Sequence, residues 1–199
     1  VTLGALAVLR GIPPWAAAID LGSALMVLAL MLTASIVACA RRDNPSLADR
    51  LSFDHGFARL ALVASASLFV VLVSGVLVAD SGSTVRCLGC LAARPGPGGG
   101  AARGWMQMGR DVLAGVTSFS IVALVVAAWR GNDAPVRRTA LAAGVFLVAQ
   151  LLISAVVATR GATPWLLIAS VATAVAAWVS LVALVVFSGL RGAVSPGAL

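Results

Sequence analysis

The chain has 199 residues, of which 61% are hydrophobic and 11% are charged, and its mean hydropathy is +1.06. A water-soluble domain of this length could not bury so much apolar surface, so the composition excludes a soluble protein and predicts an integral membrane protein. The net charge of +7 comes from fourteen basic residues, all arginine, which lie mainly in loops and at helix ends. Such arginines orient membrane helices, and we expect no nucleic-acid partner because they form no stripe.

The apolar segments predict a short N-terminal stub followed by five membrane-spanning helices. Residues 1–9 are too short to cross, because nine helical residues reach about 13 Å and the hydrocarbon core is about 30 Å thick. Backbone groups in lipid must bond internally, and the longer runs are too uniformly apolar for barrel strands, which favours helices. The runs long enough to cross the bilayer are 15–40, 60–79, 112–129, 140–159 and 165–190.

A motif near the N-terminus, RGIPPW at residues 10–15, returns as RGATPW at residues 160–165. The displacement of 150 residues predicts two similar halves, of which the first is mostly absent. We therefore expect an all-α integral membrane fold in which a four-helix bundle stands beside one extra helix. The predicted domain limits are 1–42 for the first-half remnant, 43–59 for a connection, 60–191 for the bundle with an outer loop at 80–110, and 192–199 for a tail.

The arginines predict the orientation of these helices. Loops 41–59 and 130–138, together with the tail, carry eight of the fourteen arginines, so the positive-inside rule places them in the cytoplasm and loop 80–110 outside. The exclusive use of arginine and the abundance of Ala and Val are typical of a GC-rich bacterial genome, which predicts a bacterial plasma (inner) membrane. The helices are expected to approach one another through small residues, namely Gly115, Ala127, Ala143, Gly144, Ala155, Ala172 and Ala174.

Few residues in the chain are candidates for chemistry. Cys87 and Cys90 form a C-x-x-C pair in the outer loop and are interpreted as a structural disulfide, a redox-cycling pair or two small turn residues. His55 is the single histidine, so the chain alone supplies no bis-histidine haem site, and no metal site is predicted. Asp20 lies inside a span, where a carboxylate is either functional or shallow enough to reach water or to pair with an arginine. No catalytic residue is assigned.

Several of these motifs together resemble the haem A synthase family. They are the repeated Pro-Trp motif, the QLLIS stretch at 150–154, and the DSGS stretch at 80–83 that precedes the cysteine pair. The resemblance implies an eight-helix fold of two four-helix halves, each binding a haem through two axial histidines. On this alignment the chain covers the end of the third helix, the fourth helix and the whole second half.

The resemblance also assigns the haem-ligand positions. They fall on Asp20, Gly109 and Ser170, none of which is histidine, and the cysteine spacing is shorter than the family's C-x-x-W-P-x-C. Met108, or its neighbour Met106, is a candidate for a substitute axial ligand beside the vacated position at Gly109.

These residues support two hypotheses of function. In the first, the chain is a haem A synthase-like protein without haem ligands, a non-catalytic structural or accessory subunit of a respiratory or other electron-transfer complex or of oxidase assembly. Its partners are then the lipid bilayer and other membrane subunits, contacted through helix 15–40. In the second, it is part of an active haem A synthase that oxidises haem O to haem A, completed by a missing N-terminal half or a partner chain. The chain alone is assigned no cofactor, and haem only when a partner completes it.

Overall fold

A computed structural model describes residues 14–43, 53, 56–78, 101–131, 133–161 and 163–192. These residues form helices and, within the described ranges, no strand. Each helix is long and apolar enough to cross a membrane, which confirms the predicted all-α fold with five transmembrane helices and makes this a multi-pass membrane protein. The predicted stub and both cysteines of the C-x-x-C pair lie outside the described residues. The helices are α1 (Pro14–Asp43), α2 (Gly56–Val78), α3 (Ala101–Arg130), α4 (Ala134–Arg160) and α5 (Pro164–Gly192).

The helix boundaries differ most from the prediction at α3. This helix begins at Ala101, so residues 101–110, which were assigned to the outer loop, are helical. The extension carries polar residues, whereas its span suitable for a membrane runs from Met108 to Arg130. Hydropathy indicates which residues prefer lipid to water, but helical hydrogen bonds also form outside lipid. The helix therefore begins before the apolar run does.

The connection between α4 and α5 shows why one glycine is needed. Gly161 has φ +84°, in the left-handed region that side chains other than glycine rarely adopt. Its N–H donates to the carbonyl of Val157 at 3.0 Å, which ends α4, and Pro164 then opens α5 with a φ that suits a first helical turn. The chain therefore reverses within three residues, and α4 and α5 are antiparallel neighbours.

The last four helices form a closed bundle. In order around the bundle, α2 contacts α3, α3 contacts α4, α4 contacts α5, and α5 contacts α2. Helix α1 lies outside this ring, in the groove between α2 and α5. A Cβ at Gly22, near the start of α1, would meet Val73 and Phe69, near the end of α2, so these two helices are also antiparallel. The structure thus has the predicted four-helix bundle with one additional helix.

Small side chains let the bundle close tightly at the end where α2 and α4 begin. Ala61, Ala64, Ala140 and Ala143 are fully buried there, with Leu124, Leu181 and Leu184 filling the space between them. In a bilayer, lipid tails compete equally for apolar surface, so close backbone approach and packing hold helices together. Ala143, Gly144 and Ala174 lie at such contacts, whereas four of the expected contact residues are exposed on the bundle surface: Gly115, Ala127, Ala155 and Ala172.

Candidate functional site

Ser170 lies buried between α4 and α5, with 3% of its surface exposed. The side-chain amide of Gln150 on α4 donates to the Ser170 hydroxyl oxygen at 2.8 Å. On the next turn of α5, the Thr173 hydroxyl donates to the Gln150 amide oxygen at 2.6 Å. We call these three residues the Gln150 clasp. The clasp joins Gln150 of the QLLIS stretch to Ser170, which lies five residues after Trp165.

Gly109 stands at a predicted haem-ligand position, and it has no side chain that could bind iron. Gly109 is exposed, and a Cβ built there would meet no atom of the described residues within 4 Å. Met108 is 61% exposed, so its side chain lies on the protein surface. Arg110, in contrast, is 6% exposed, and Asp111 beside it lines a cavity in the bundle. The burial of Arg110 was not anticipated, because arginine in a predicted outer loop normally faces water.

Asp20 lies on the exposed side of α1 and does not face the bundle. Ser23 donates to its backbone carbonyl at 2.8 Å, a contact within the same helix. The structure therefore does not bring Asp20, Gly109 and Ser170 together. Ser170 lies inside the bundle, Gly109 on the surface of α3, and Asp20 on the surface of α1.

Helices α1 and α5 both open with Pro-Trp, which gives them a common register. Counted from that dipeptide, positions that are buried in α5 are exposed in α1. The α5 positions Ser170, Ala174, Ala177 and Leu181 correspond to Asp20, Ala24, Val27 and Met31. Conversely, α1 buries Ala18 and Leu25. Their counterparts in α5 are Ile168, which is exposed, and Val175, which is half-buried. We call the surface of Asp20, Ala24, Val27 and Met31 the outer face of α1.

A cavity of about 260 Å³ lies inside the four-helix bundle, in the half that contains the Gln150 clasp. Along α3 it extends from Asp111 to Ile121, which corresponds to about 15 Å of helix. Its walls are mostly apolar, with polar side chains from α3 and α4: Asp111, Thr117, Ser118 and Gln150. The bundle stays open here because small residues line the cavity, Ala114 and Gly115 on α3 and Ala174 and Ala177 on α5.

The cavity reaches the surface of the bundle between α3 and α4. Gly115 and Leu151 line it and are also exposed on the outside of their helices. Both belong to segments suited to cross the membrane, so this opening faces lipid. Sequence reasoning missed the cavity. The available signal was the small residues Ala114 and Gly115 beside the hydroxyl residues Thr117 and Ser118 on α3, of which only Gly115 was predicted to lie at a helix contact.

The described residues contain no group of three or more His, Cys, Asp or Glu side chains that could hold a metal ion. Comparisons with protein-family models, curated protein sequences and solved structures each gave no match. The class that the fold defines is therefore a multi-pass helical membrane protein whose bundle encloses a cavity.

Proposed function

We propose that this protein is a non-catalytic membrane subunit, similar in architecture to a haem A synthase, that serves as a scaffold for a membrane complex of respiration, electron transfer or oxidase assembly. The observation that carries this proposal is the Gln150 clasp. The resemblance assigns a haem ligand to the position of Ser170, and there Gln150 occupies the space with a hydrogen bond of 2.8 Å. The position that binds iron in the family holds a serine here, and this serine links two helices.

The size of the cavity supports the same proposal. A dry cavity of about 150 Å³ accommodates benzene, so a cavity of about 260 Å³ is much too small for a macrocycle of four pyrrole rings. Among the described residues that line the cavity, none is histidine or methionine, and the polar ones are Asp, Thr, Ser and Gln. Neither the volume nor the donor atoms suit a haem.

The outer face of α1 supports a role in assembly. In α5 the corresponding positions pack against the bundle, whereas in α1 they are exposed, with Met31 at 66%. Asp20 adds a carboxylate to this face, and a charged group facing hydrocarbon is expensive. Packing against another helical membrane protein would cover both the apolar residues and Asp20. We therefore propose that the outer face of α1 binds another membrane subunit.

The orientation proposed for this subunit follows from its ends. Trp15, Trp105 and Trp165 are all exposed at the starts of α1, α3 and α5, which run in the same direction, and Trp129 is exposed at the other end of α3. Such belts are typical of the two membrane interfaces. We propose a bacterial inner membrane with the Gly131 turn in the cytoplasm and the Gly161 turn outside. Alkaline phosphatase fused at Gly161 should be active and a fusion at Gly131 inactive; the reverse pattern would refute the orientation.

Photo-crosslinking tests the scaffold role directly. Benzoylphenylalanine is introduced at Val27 or Met31 on the outer face of α1, and at Val145 on α4 as a matched control with 64% exposure. After irradiation of native membranes, the α1 positions should give a discrete adduct with an integral subunit of an electron-transfer or oxidase-assembly complex. Val145 should give lipid adducts alone. Identical lipid adducts at all three positions would contradict the proposal.

Haem analysis of the isolated complex distinguishes the scaffold from the enzyme. We expect substoichiometric haem by the pyridine haemochromogen assay. Stoichiometric haem with a bis-axial spectrum, together with conversion of haem O to haem A, would instead establish the alternative in which this chain completes an active haem A synthase. The outer face of α1 is compatible with that alternative, because an added helical half would also cover it.

A further inference from the structure

The bundle cavity is suited to a ligand that comes from the bilayer. Its walls combine apolar side chains from all four helices with a small number of polar groups, which is the composition of most small-molecule sites. Its opening at Gly115 and Leu151 faces lipid, so a molecule dissolved in the membrane reaches it without crossing water. An entirely empty cavity of this size would also forfeit packing contacts on every side.

The two hydroxyl groups on the α3 wall of the cavity are arranged as hydrogen-bond acceptors. The Thr117 hydroxyl donates to the carbonyl of Leu113 and the Ser118 hydroxyl to that of Ala114, each at 2.8 Å. Their protons are thereby used within α3, so each hydroxyl oxygen can still accept a hydrogen bond. Asp111 adds carboxylate oxygens at the outer end of the same wall. The best complement is therefore a ligand that donates a hydrogen bond.

The volume sets the size of this ligand. If benzene with its six carbon atoms occupies a cavity of about 150 Å³, then about ten or eleven non-hydrogen atoms fit into the present cavity. The volume of the present cavity is about 260 Å³. This corresponds to a bicyclic aromatic group or a short branched hydrocarbon.

We propose that the bundle cavity binds a small, neutral, lipid-soluble molecule bearing a hydroxyl group, which enters between α3 and α4 and donates to the hydroxyl oxygens of Thr117 and Ser118. This ligand site goes beyond the scaffold role and does not depend on it. The apolar part of the molecule contacts Leu68, Val71 and Ile121 at the far side.

The proposal is tested with 1-naphthol, which has eleven non-hydrogen atoms, and with 1-methylnaphthalene, which has the same shape but no donor. The full chain is placed in lipid nanodiscs, binding is measured by equilibrium dialysis, and uptake by empty nanodiscs is subtracted. We expect saturable binding of one 1-naphthol per chain, about fivefold tighter than 1-methylnaphthalene, which is the weight of one net neutral hydrogen bond. Uptake equal to that of empty nanodiscs, or equal affinity for both compounds, would overturn the proposal.

Two glycines on α3 provide a matched pair of variants. A Cβ at Gly115 or at Gly109 meets no atom of the described residues within 4 Å, so a side chain can begin at both positions without a clash at Cβ. Gly115 lines the cavity mouth and Gly109 does not. We expect Gly115→Leu to weaken 1-naphthol binding at least about tenfold, a difference of about 1.4 kcal/mol. Gly109→Leu should leave it within twofold, and an equal loss in both variants would contradict a binding site at this mouth.

A second variant keeps the test decisive if Gly115→Leu does not fold. Thr117→Val combined with Ser118→Ala removes both acceptor oxygens and leaves the cavity open. Among the described residues, both hydroxyls bond within α3, so their loss leaves no described partner on another helix unsatisfied. The double variant should bind 1-naphthol and 1-methylnaphthalene with equal affinity. A retained fivefold preference would show that these oxygens do not recognise the donor.

Discussion

Replacing Gln150 with leucine tests whether the Gln150 clasp holds α4 against α5. Leucine has a similar size, so the change removes two interhelical hydrogen bonds, of 2.8 Å and 2.6 Å, with little change in packing. Interhelical hydrogen bonds in membranes contribute about 0.6 kcal/mol on average and about 1.7 kcal/mol at most. Two bonds of this kind predict a loss of about 1.2 kcal/mol, with a ceiling of about 3.4 kcal/mol.

The structure places the expected loss near the lower value. The Thr173 hydroxyl also lies 2.8 Å from the carbonyl of Ala169, so it keeps an acceptor after Gln150 is removed. Ser170 loses a donor to its oxygen, and its own hydroxyl proton can turn to the preceding helical turn. No buried polar group is then stranded, and the large penalty for an unsatisfied group does not arise.

The assay is reversible unfolding in mixed micelles with increasing dodecyl sulfate, followed by circular dichroism. Ser180→Ala is the control, since the Ser180 hydroxyl donates to Ala176 within α5, and its free energy of unfolding should change by less than about 0.5 kcal/mol. In a double-mutant cycle, Gln150→Leu and Ser170→Ala should couple by about 0.6 kcal/mol. If the free energy of unfolding of Gln150→Leu does not change, or falls by more than about 3.4 kcal/mol, the two interhelical hydrogen bonds of the Gln150 clasp are refuted.

Two further predictions concern packing and haem. Gly144→Leu should lower the free energy of unfolding by about 1–3 kcal/mol, because a Cβ at Gly144 already lies 3.1 Å from Cγ2 of Val125. Gly109→Leu should leave the free energy of unfolding unchanged. The same dodecyl sulfate titration measures both variants, and equal effects would contradict the contact between Gly144 and Val125. Ser170→His should likewise destabilise by about 1–3 kcal/mol and bind no haem, because the imidazole has no room beside Gln150. Asp20→His, on the exposed side of α1, should be tolerated, and a haem spectrum from Ser170→His would refute the assigned packing.

The spans and the fold class could be predicted from the sequence because the cost of exposing peptide groups to lipid leaves few alternatives. The arrangement of the helices could not be predicted in the same way. Ala143 and Ala155 lie on one helix and both looked suitable for contacts, but the first is buried and the second is exposed. Both faces of a membrane helix are apolar, so hydrophobic periodicity does not indicate the inner one.

The candidate site could not be predicted in full, because it depends on how the helices rotate and pack, and a linear pattern does not contain that information. The motifs predicted where Ser170 lies along the chain, but the contact with Gln150 requires the rotation of α4 about its axis. The cavity likewise arises where small residues of different helices, such as Ala114 and Ala174, line the same space. Asp20 was correctly placed in a span, and whether it faces protein or lipid depends on how α1 packs in its groove.

The hydroxyl bonds within the helices have a consequence for biosynthesis. Thr33, Ser118 and Ser154 each donate to a carbonyl of their own helix, so such helices can leave the translocon singly without carrying an unsatisfied proton into lipid. Gln150 differs, because its amide bonds to α5. Until α5 has been synthesised, α4 holds an exposed amide in the hydrocarbon. The short turn at Gly161 places α5 next to that amide as soon as α5 has been synthesised. The two helices therefore enter the membrane at the lowest free-energy cost as one hairpin.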